Sequence, residues 1–218
     1  MQQQKILQKK YEGLTPDEKD ELSRLEESVE LEKAKPNIIG NFLSFVKYVW
    51  PEFIEGSHHK IINQKFNDLA AGKVKRLIIN MPPRHTKSEF ASYLLPAWMI
   101  GKDPKLKIIQ ATHTADLAID FGRKTKNLVD QDNYRELFST RLQEDSKAAG
   151  KWKTEQGGEY FAAGVGGAIT GRGANLLIID DPHKEQDIKK DSKAFDKAMN
   201  WYTSGPRQRL QPGGAIVV

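Results

Sequence analysis

Residues 76–90 read "RLIINMPPRHTKSEF". The apolar run ending at Asn80 has the composition of a buried strand, and Phe90 opens a stretch, continuing "ASYLLPAWM", that reads as a helix. Between them lie two prolines, an arginine, a histidine and then Thr86-Lys87-Ser88. A strand, a loop and a helix in this order are the setting of a phosphate loop. There, backbone N–H groups and a helix N-terminus face the anion, a lysine reaches the β/γ-phosphates and a hydroxyl holds Mg²⁺. Lys87 and Ser88 fit the end of the pattern G-x-x-x-x-G-K-[ST], but Met81 and Thr86 stand where its glycines belong. Pro82 and Pro83 have no N–H to offer. The donors must therefore come from Arg84, His85, Thr86, Lys87 and Ser88. Arg84 is placed to neutralise charge developing on a γ-phosphate. Thr86 carries a Cβ, so either the loop avoids positive φ there or it grips a nucleotide less closely. The other reading is an exposed strand-to-helix turn with a chance Lys-Ser pair.

A second element answers the first. Residues 175–181 read "NLLIIDD", an apolar strand that ends in two carboxylates. This arrangement suits Asp180 for holding Mg²⁺ through water and Asp181 for orienting or deprotonating an attacking water. Aspartate is one methylene shorter than the glutamate more usual at the second position. The alternative is a strand end and a turn into Pro182. Taken together, the two elements come in the expected order, each at the end of an apolar strand. Ligands of open α/β sheets bind at that edge.

Outward from this pair, "KLKIIQAT", "EYFAAG" and the terminal "GAIVV" are further strand-type runs, with helical stretches at about 86–100 and 114–130. Strands alternating with helices predict an α/β domain with a mostly parallel sheet, its strands buried on both faces. Residues 37–72 read as helices. "NFLSFVKYVWPEF" ends near Pro51, and "HHKIINQKFNDLAAG" puts Ile61, Ile62, Phe66 and Leu69 on one face before stopping at Gly72. Residues 1–35 read as a separate helical arm. Thr15-Pro16-Asp17-Glu18 is a capping box with proline at the first helical position, and Pro36 is expected to end the helix. The chain stops at Val218 inside an apparent strand, which suggests the front part of a longer protein.

Composition sets the outer bounds. The chain has 218 residues and no cysteine, which excludes disulfides and thiolate metal sites and suits an intracellular protein. No apolar run approaches a membrane span, and the N-terminus has no signal-peptide core. Lysine and arginine number 34 against 29 acids. Residues 1–35 hold 7 basic and 9 acidic residues, so this arm carries −2 and the rest +7, for the net +5. A basic body fits a polyanion such as DNA, or simple solubility.

Four stretches carry a family resemblance: "RLIINMPPRHTKSE", "ATHTADLAIDFGRK", "GVGGAITGRGANLLIIDDPHK" and "WYTSGPRQRLQPGGAIVV". In order and content they resemble the large terminase subunit of tailed bacteriophages, across about residues 55–218. Relatives usually have "PPRHGKS", so Thr86 departs from the pattern. The resemblance implies a P-loop NTPase of the RecA-like, additional-strand class. It implies a motor domain over residues 36–218 that hydrolyses ATP with Mg²⁺ to drive double-stranded DNA into a procapsid. The family's nuclease domain and coupling motif are not matched, so no DNA cleavage is expected of this chain. The implied partners are double-stranded DNA, the portal protein, the small terminase subunit and further copies of the chain in a ring. The implied location is the host cytoplasm during virus assembly. Lys87 and Ser88 then match the phosphate and Mg²⁺ ligands, Arg84 the arginine of the phosphate loop, Asp180 the metal-binding acid and Asp181 the catalytic acid. Arg172 in "TGRGA" resembles an arginine that acts in trans on a neighbour's ATP. A salt bridge or a DNA phosphate contact is its other reading, and Gly171 and Gly173 on either side mark a mobile or closely approached backbone.

Several residues remain open at this level. Thr112 and Thr114 read as helix caps, and His58 and His59 as surface or core histidines or an adenine contact. Arg123, Lys124 and Lys126 read as a solvated helix face or a DNA backbone contact, and Trp98, Trp152 and Trp201 as core or interface. A helicase-like P-loop ATPase, or a scaffold that has lost its nucleotide, are the rival functions.

Overall fold

A computed structural model describes residues 13–146, 148–169, 171–184, 186, 189 and 193–218. The Thr15 capping box forms as the sequence predicts. The Thr15 N–H donates to Glu18 Oε2 at 2.8 Å, and the Glu18 N–H donates back to Thr15 Oγ1 at 3.4 Å. Helix α1 starts there and runs Pro16–Gly40, straight through Pro36. The expected stop at Pro36 is thus corrected, and the helix crosses the expected boundary at residue 35. Proline removes one hydrogen bond from the helical ladder. Packing offsets the loss, because Ile38 is buried and Leu31, Ala34 and Ile39 lie against the main core. Trp98 Nε1 also donates to the Ile39 carbonyl at 3.0 Å. Earlier in α1, Leu25 and Val29 remain exposed.

Helices α2 (Phe42–Val49) and α3 (Ser57–Ala70) follow. Phe42 meets Phe66, Phe90 and Trp98 edge-on at centroid distances of 4.9, 5.3 and 5.6 Å, the arrangement favoured by ring quadrupoles. Ile62, Phe66 and Leu69 are buried as expected, but Ile61 points outward and is 66% exposed.

The remaining elements form the α/β body. Strand β1 is Arg76–Leu77, followed after the loop by a π-helical run Glu89–Leu94 and helix α4 (Leu95–Lys102). Then come β2 (Lys107–Thr112), α5 (Ala115–Val129), α6 (Asp132–Leu137), β3 (Lys151–Lys153) and β4 (Glu159–Gly164). The last elements are β5 (Ala174–Asp180), α7 (Ala194–Ser204) and β6 (Leu210–Val217). The sheet order is β1-β6-β5-β2-β4-β3, with every pair parallel except β3 against β4. The chain therefore has the expected α/β architecture with a mostly parallel sheet flanked by helices. Its last strand is inserted between β1 and β5.

Alternation along the strands divides the core in two. Ile108, Leu176, Ile178 and Val217 join the aromatic core of the N-terminal helices. Ile109, Leu177, Ile179 and Ile216 face the other way, toward Trp201 and Tyr202 of α7. Among the described residues, the second face is thinly covered. Ile78, Phe195 and Met199 are more than half exposed around an open apolar groove of about 540 Å³. Ile78 thus departs from the expectation of a strand buried on both faces. Among the described residues, no helix is long and apolar enough to cross a membrane.

Candidate functional site at the carboxyl edge of the sheet

The loop after β1 and the end of β5 meet across β6. Lys87 Nζ is 3.1 Å from Asp180 Oδ1 and is hydrogen-bonded to Asp181 Oδ1. Asp180 is 6% exposed, and its other oxygen accepts from Ser92 Oγ at 2.9 Å. Ser92 belongs to the π-helical run, a distortion frequent at functional sites. Register explains where the acids lie. Thr112 is paired with both Gly164 and Asp180, so β2, β4 and β5 end level at one edge. Burial pulls the pKa of the Lys87 ammonium down, but Asp181 and Asp180 more than offset this, and the net shift is upward.

The loop itself is strained. Arg84 has φ 64° and Thr86 φ 63°, and Asp181 across the site has φ 43°. These are the non-glycine residues with positive φ among those described, and all three belong to this site. The left-handed conformation costs roughly 1–3 kcal/mol for such a residue, and for a β-branched one it is an outlier. Thr86 therefore does take the glycine-like backbone that its Cβ argues against. Left-handed residues at alternate positions turn successive N–H groups toward one concavity, a geometry suited to an anion. Among the described residues, none of the N–H groups of residues 84–88 donates to a backbone acceptor in a turn, loop or cap.

The neighbours of Thr86 were not legible as a unit in the sequence. His59, 4% exposed, lies with Nε2 2.7 Å from Thr86 Oγ1, while its Nδ1 accepts from the Gly56 N–H at 2.8 Å. Thr86 Oγ1 donates to the His85 carbonyl at 2.6 Å. His85 Nδ1 lies 2.9 Å from the Pro83 carbonyl oxygen, and the His58 ring packs on His59 at 3.8 Å. Burial, with a smaller contribution from His58, holds the His59 pKa below its ordinary value.

Arg84, His85 and Thr86 thus lie in the loop, and Lys87 and Ser88 in the helical turn that ends it, with Asp180 and Asp181 opposite. Arg84 is exposed. Arg172 does not join them. It is ion-paired with Glu159, and its guanidinium lies 4.0 Å from the centroid of the Phe161 ring. Glu159 opens β4 at the edge opposite Asp180, a strand's length of roughly 15–20 Å away. The salt-bridge reading of Arg172 is the one present in this conformation. Gly171 has φ +75°, and Gly173 is closely approached by the Gln211 side chain.

The basic residues of α5 are engaged within the chain. Arg123 pairs with Asp120, Lys124 with Glu89, and Lys126 donates to the Ser146 carbonyl. Thr114 caps α5 by accepting from the Leu117 N–H at 3.4 Å, and Thr112 Oγ1 donates to the Thr114 carbonyl at 2.6 Å. Trp98 and Trp152 are buried, and Trp201 Nε1 donates to the Gly167 carbonyl at 3.0 Å.

A Mg²⁺ ion would find oxygen ligands in Asp180 and in the Ser88 hydroxyl. Among the described residues, no group of three or more acids or histidines could hold a metal. A scan against protein-family models finds no match, and a search of curated proteins finds none either.

Proposed function

We propose that this chain is an ATP-hydrolysing motor domain of a viral DNA-packaging terminase. The observation that carries the reading is the contact of Lys87, on the loop after β1, with Asp180 and Asp181 at the end of β5. The lysine follows β1 and the acids lie at the end of β5, so they meet at the carboxyl edge of the sheet, where α/β proteins bind ligands. Strand β6, lying between β1 and β5, supports the additional-strand class of P-loop fold. This geometry is common to P-loop ATPases in general. The choice of a terminase among them, with double-stranded DNA, portal protein and small subunit as partners, rests on the sequence resemblance.

In this reading Lys87 leaves the two aspartates and binds the β/γ-phosphates. The N–H groups of residues 84–88 hold phosphate oxygens, and Arg84 adds positive charge at the γ-phosphate. Ser88 and, through water, Asp180 would hold Mg²⁺, and the ion would supply neutralisation of phosphate charge. Asp181, exposed and freed from Lys87, orients the attacking water or takes its proton. Arg172 would act on a neighbour's ATP only after leaving Glu159.

Calorimetry of Mg²⁺-ATP binding to the parent and to Lys87→Ala tests the proposal. Binding to the parent and its loss in the variant are expected. A parent that binds no nucleotide under any Mg²⁺ condition would overturn it. Binding is preferred to hydrolysis as the readout, because hydrolysis would await a neighbouring subunit.

A further inference from the structure

We propose that His59 is a positioning residue for the phosphate loop, holding Thr86 in the left-handed conformation that glycine would adopt unaided. The inference rests on the reading of the loop as a nucleotide site. The proton arrangement follows from one fixed donor. The Gly56 N–H donates to Nδ1 at 2.8 Å, so that nitrogen carries no proton. The neutral ring then bears its proton on Nε2 and donates it to Thr86 Oγ1 at 2.7 Å. With its lone pair so used, the Thr86 hydroxyl donates onward to the His85 carbonyl at 2.6 Å. Three bonds in series thus run from the start of α3 into the loop, all with one direction of donation.

The ring that makes them has little freedom. It lies 4.7 Å from Phe53 and 4.9 Å from Phe90, centroid to centroid, and it is buried. Phe90 follows Thr86 by four residues, and its N–H donates to the Thr86 carbonyl at 2.9 Å. Thr86 is therefore held at its hydroxyl by His59 and at its carbonyl by the first turn of the helix. A threonine here keeps the glycine-like backbone because its hydroxyl, which a glycine lacks, has a buried partner. A hydroxyl-free residue with a Cβ would have the strain without the restraint.

The test is a double-mutant cycle of His59→Phe and Thr86→Gly, read by Mg²⁺-ATP affinity, with thermal midpoints checking that each protein folds. Phenylalanine keeps the ring between Phe53 and Phe90 and removes the bonds. His59→Phe is expected to weaken binding about tenfold with Thr86 present, as the loss of one hydrogen bond to a buried partner implies. In the Thr86→Gly background the same substitution should change affinity by less than about twofold. Thr86→Val, which keeps the shape and removes the hydroxyl, should reproduce the loss and not add to His59→Phe. Equal losses in both backgrounds, or none, would overturn the inference. Nitrogen NMR of the His59 ring gives a reading independent of ATP. The proton on Nε2 is expected, and a proton on Nδ1 would refute the positioning role even if the parent bound no nucleotide. A parent that binds no nucleotide while the Nε2 proton is found would defeat the nucleotide reading and leave the restraint on Thr86 standing.

Discussion

Replacing Lys87 by methionine tests the electrostatics of the candidate site directly. The ammonium is 3.1 Å from Asp180 Oδ1, and the side chains of Lys87, Asp180 and Asp181 are 22%, 7% and 65% exposed. Two unit charges 4 Å apart attract by about 4 kcal/mol at an effective dielectric of about 20. The Asp181 half is largely in water and contributes about 0–1 kcal/mol. The Asp180 half is different, because removing one partner of a buried pair typically costs about 3–5 kcal/mol. Two features reduce that figure here. Asp180 keeps the Ser92 hydroxyl as a donor, and Lys87 itself is partly solvated. The expected loss for Lys87→Met is therefore about 2–3 kcal/mol. It should appear in urea unfolding as a lower midpoint with an unchanged slope. Adding Asp180→Asn removes the stranded charge and should recover most of the loss. A drop below about 0.5 kcal/mol for Lys87→Met, or no recovery in the double variant, would refute the claim that Lys87 is held by a buried carboxylate.

Two further outcomes follow from particular contacts. The His59 pKa is depressed in the folded state, so the unfolded chain binds more protons as pH falls through about 6.5. The stability His59 contributes is thus present above that pH and lost below it. Denaturation between pH 7 and pH 5 should show this slope, and His59→Phe should flatten it. Arg172→Ala removes both the Glu159 ion pair and the contact over Phe161. A loss of about 1–2 kcal/mol is expected, with part of it retained by Arg172→Lys, which keeps charge but not the planar group. Thermal unfolding of the three proteins at matched salt checks it.

The strand-type runs at β2, β4, β5 and β6 were legible because apolar strands of a parallel sheet stand out against polar connections. The caps at Thr15 and Thr114 were legible because side-chain capping is local. Other features depend on what comes to lie nearby. Ile61 and Ile62 are alike in the sequence, and only the position of the neighbouring helices buries one and exposes the other. Pro36 reads as a stop because the proline rule counts hydrogen bonds, whereas Ile38 and Ile39 hold the helix through packing. Strand β3, Lys-Trp-Lys, is a three-residue edge strand with charged flanks, too short to show a period. At the site, Lys87, Asp180 and Asp181 were legible from chemistry and order. Ser92 was a small polar residue next to buried apolar ones, a signal that its buried partner explains afterwards. The left-handed backbone at Arg84 and Asp181 had no local signal, since neither is glycine, and at Thr86 the signal was only its place at a glycine of the loop pattern.

The position of β6 has a consequence for how the molecule comes to be made. Strand β1 pairs in the sheet with β6, and a bond joining them, from Arg76 to the Gly214 carbonyl, spans 138 residues. During synthesis the loop and the two aspartates both leave the ribosome before the strand that sits between their own strands. Until β6 arrives, β1 lacks its partner and Lys87 has no fixed distance to Asp180. Long-range closures of this kind are slow steps in folding. The candidate site thus takes its shape only once β6 has joined the sheet, although Lys87 leaves the ribosome long before that strand.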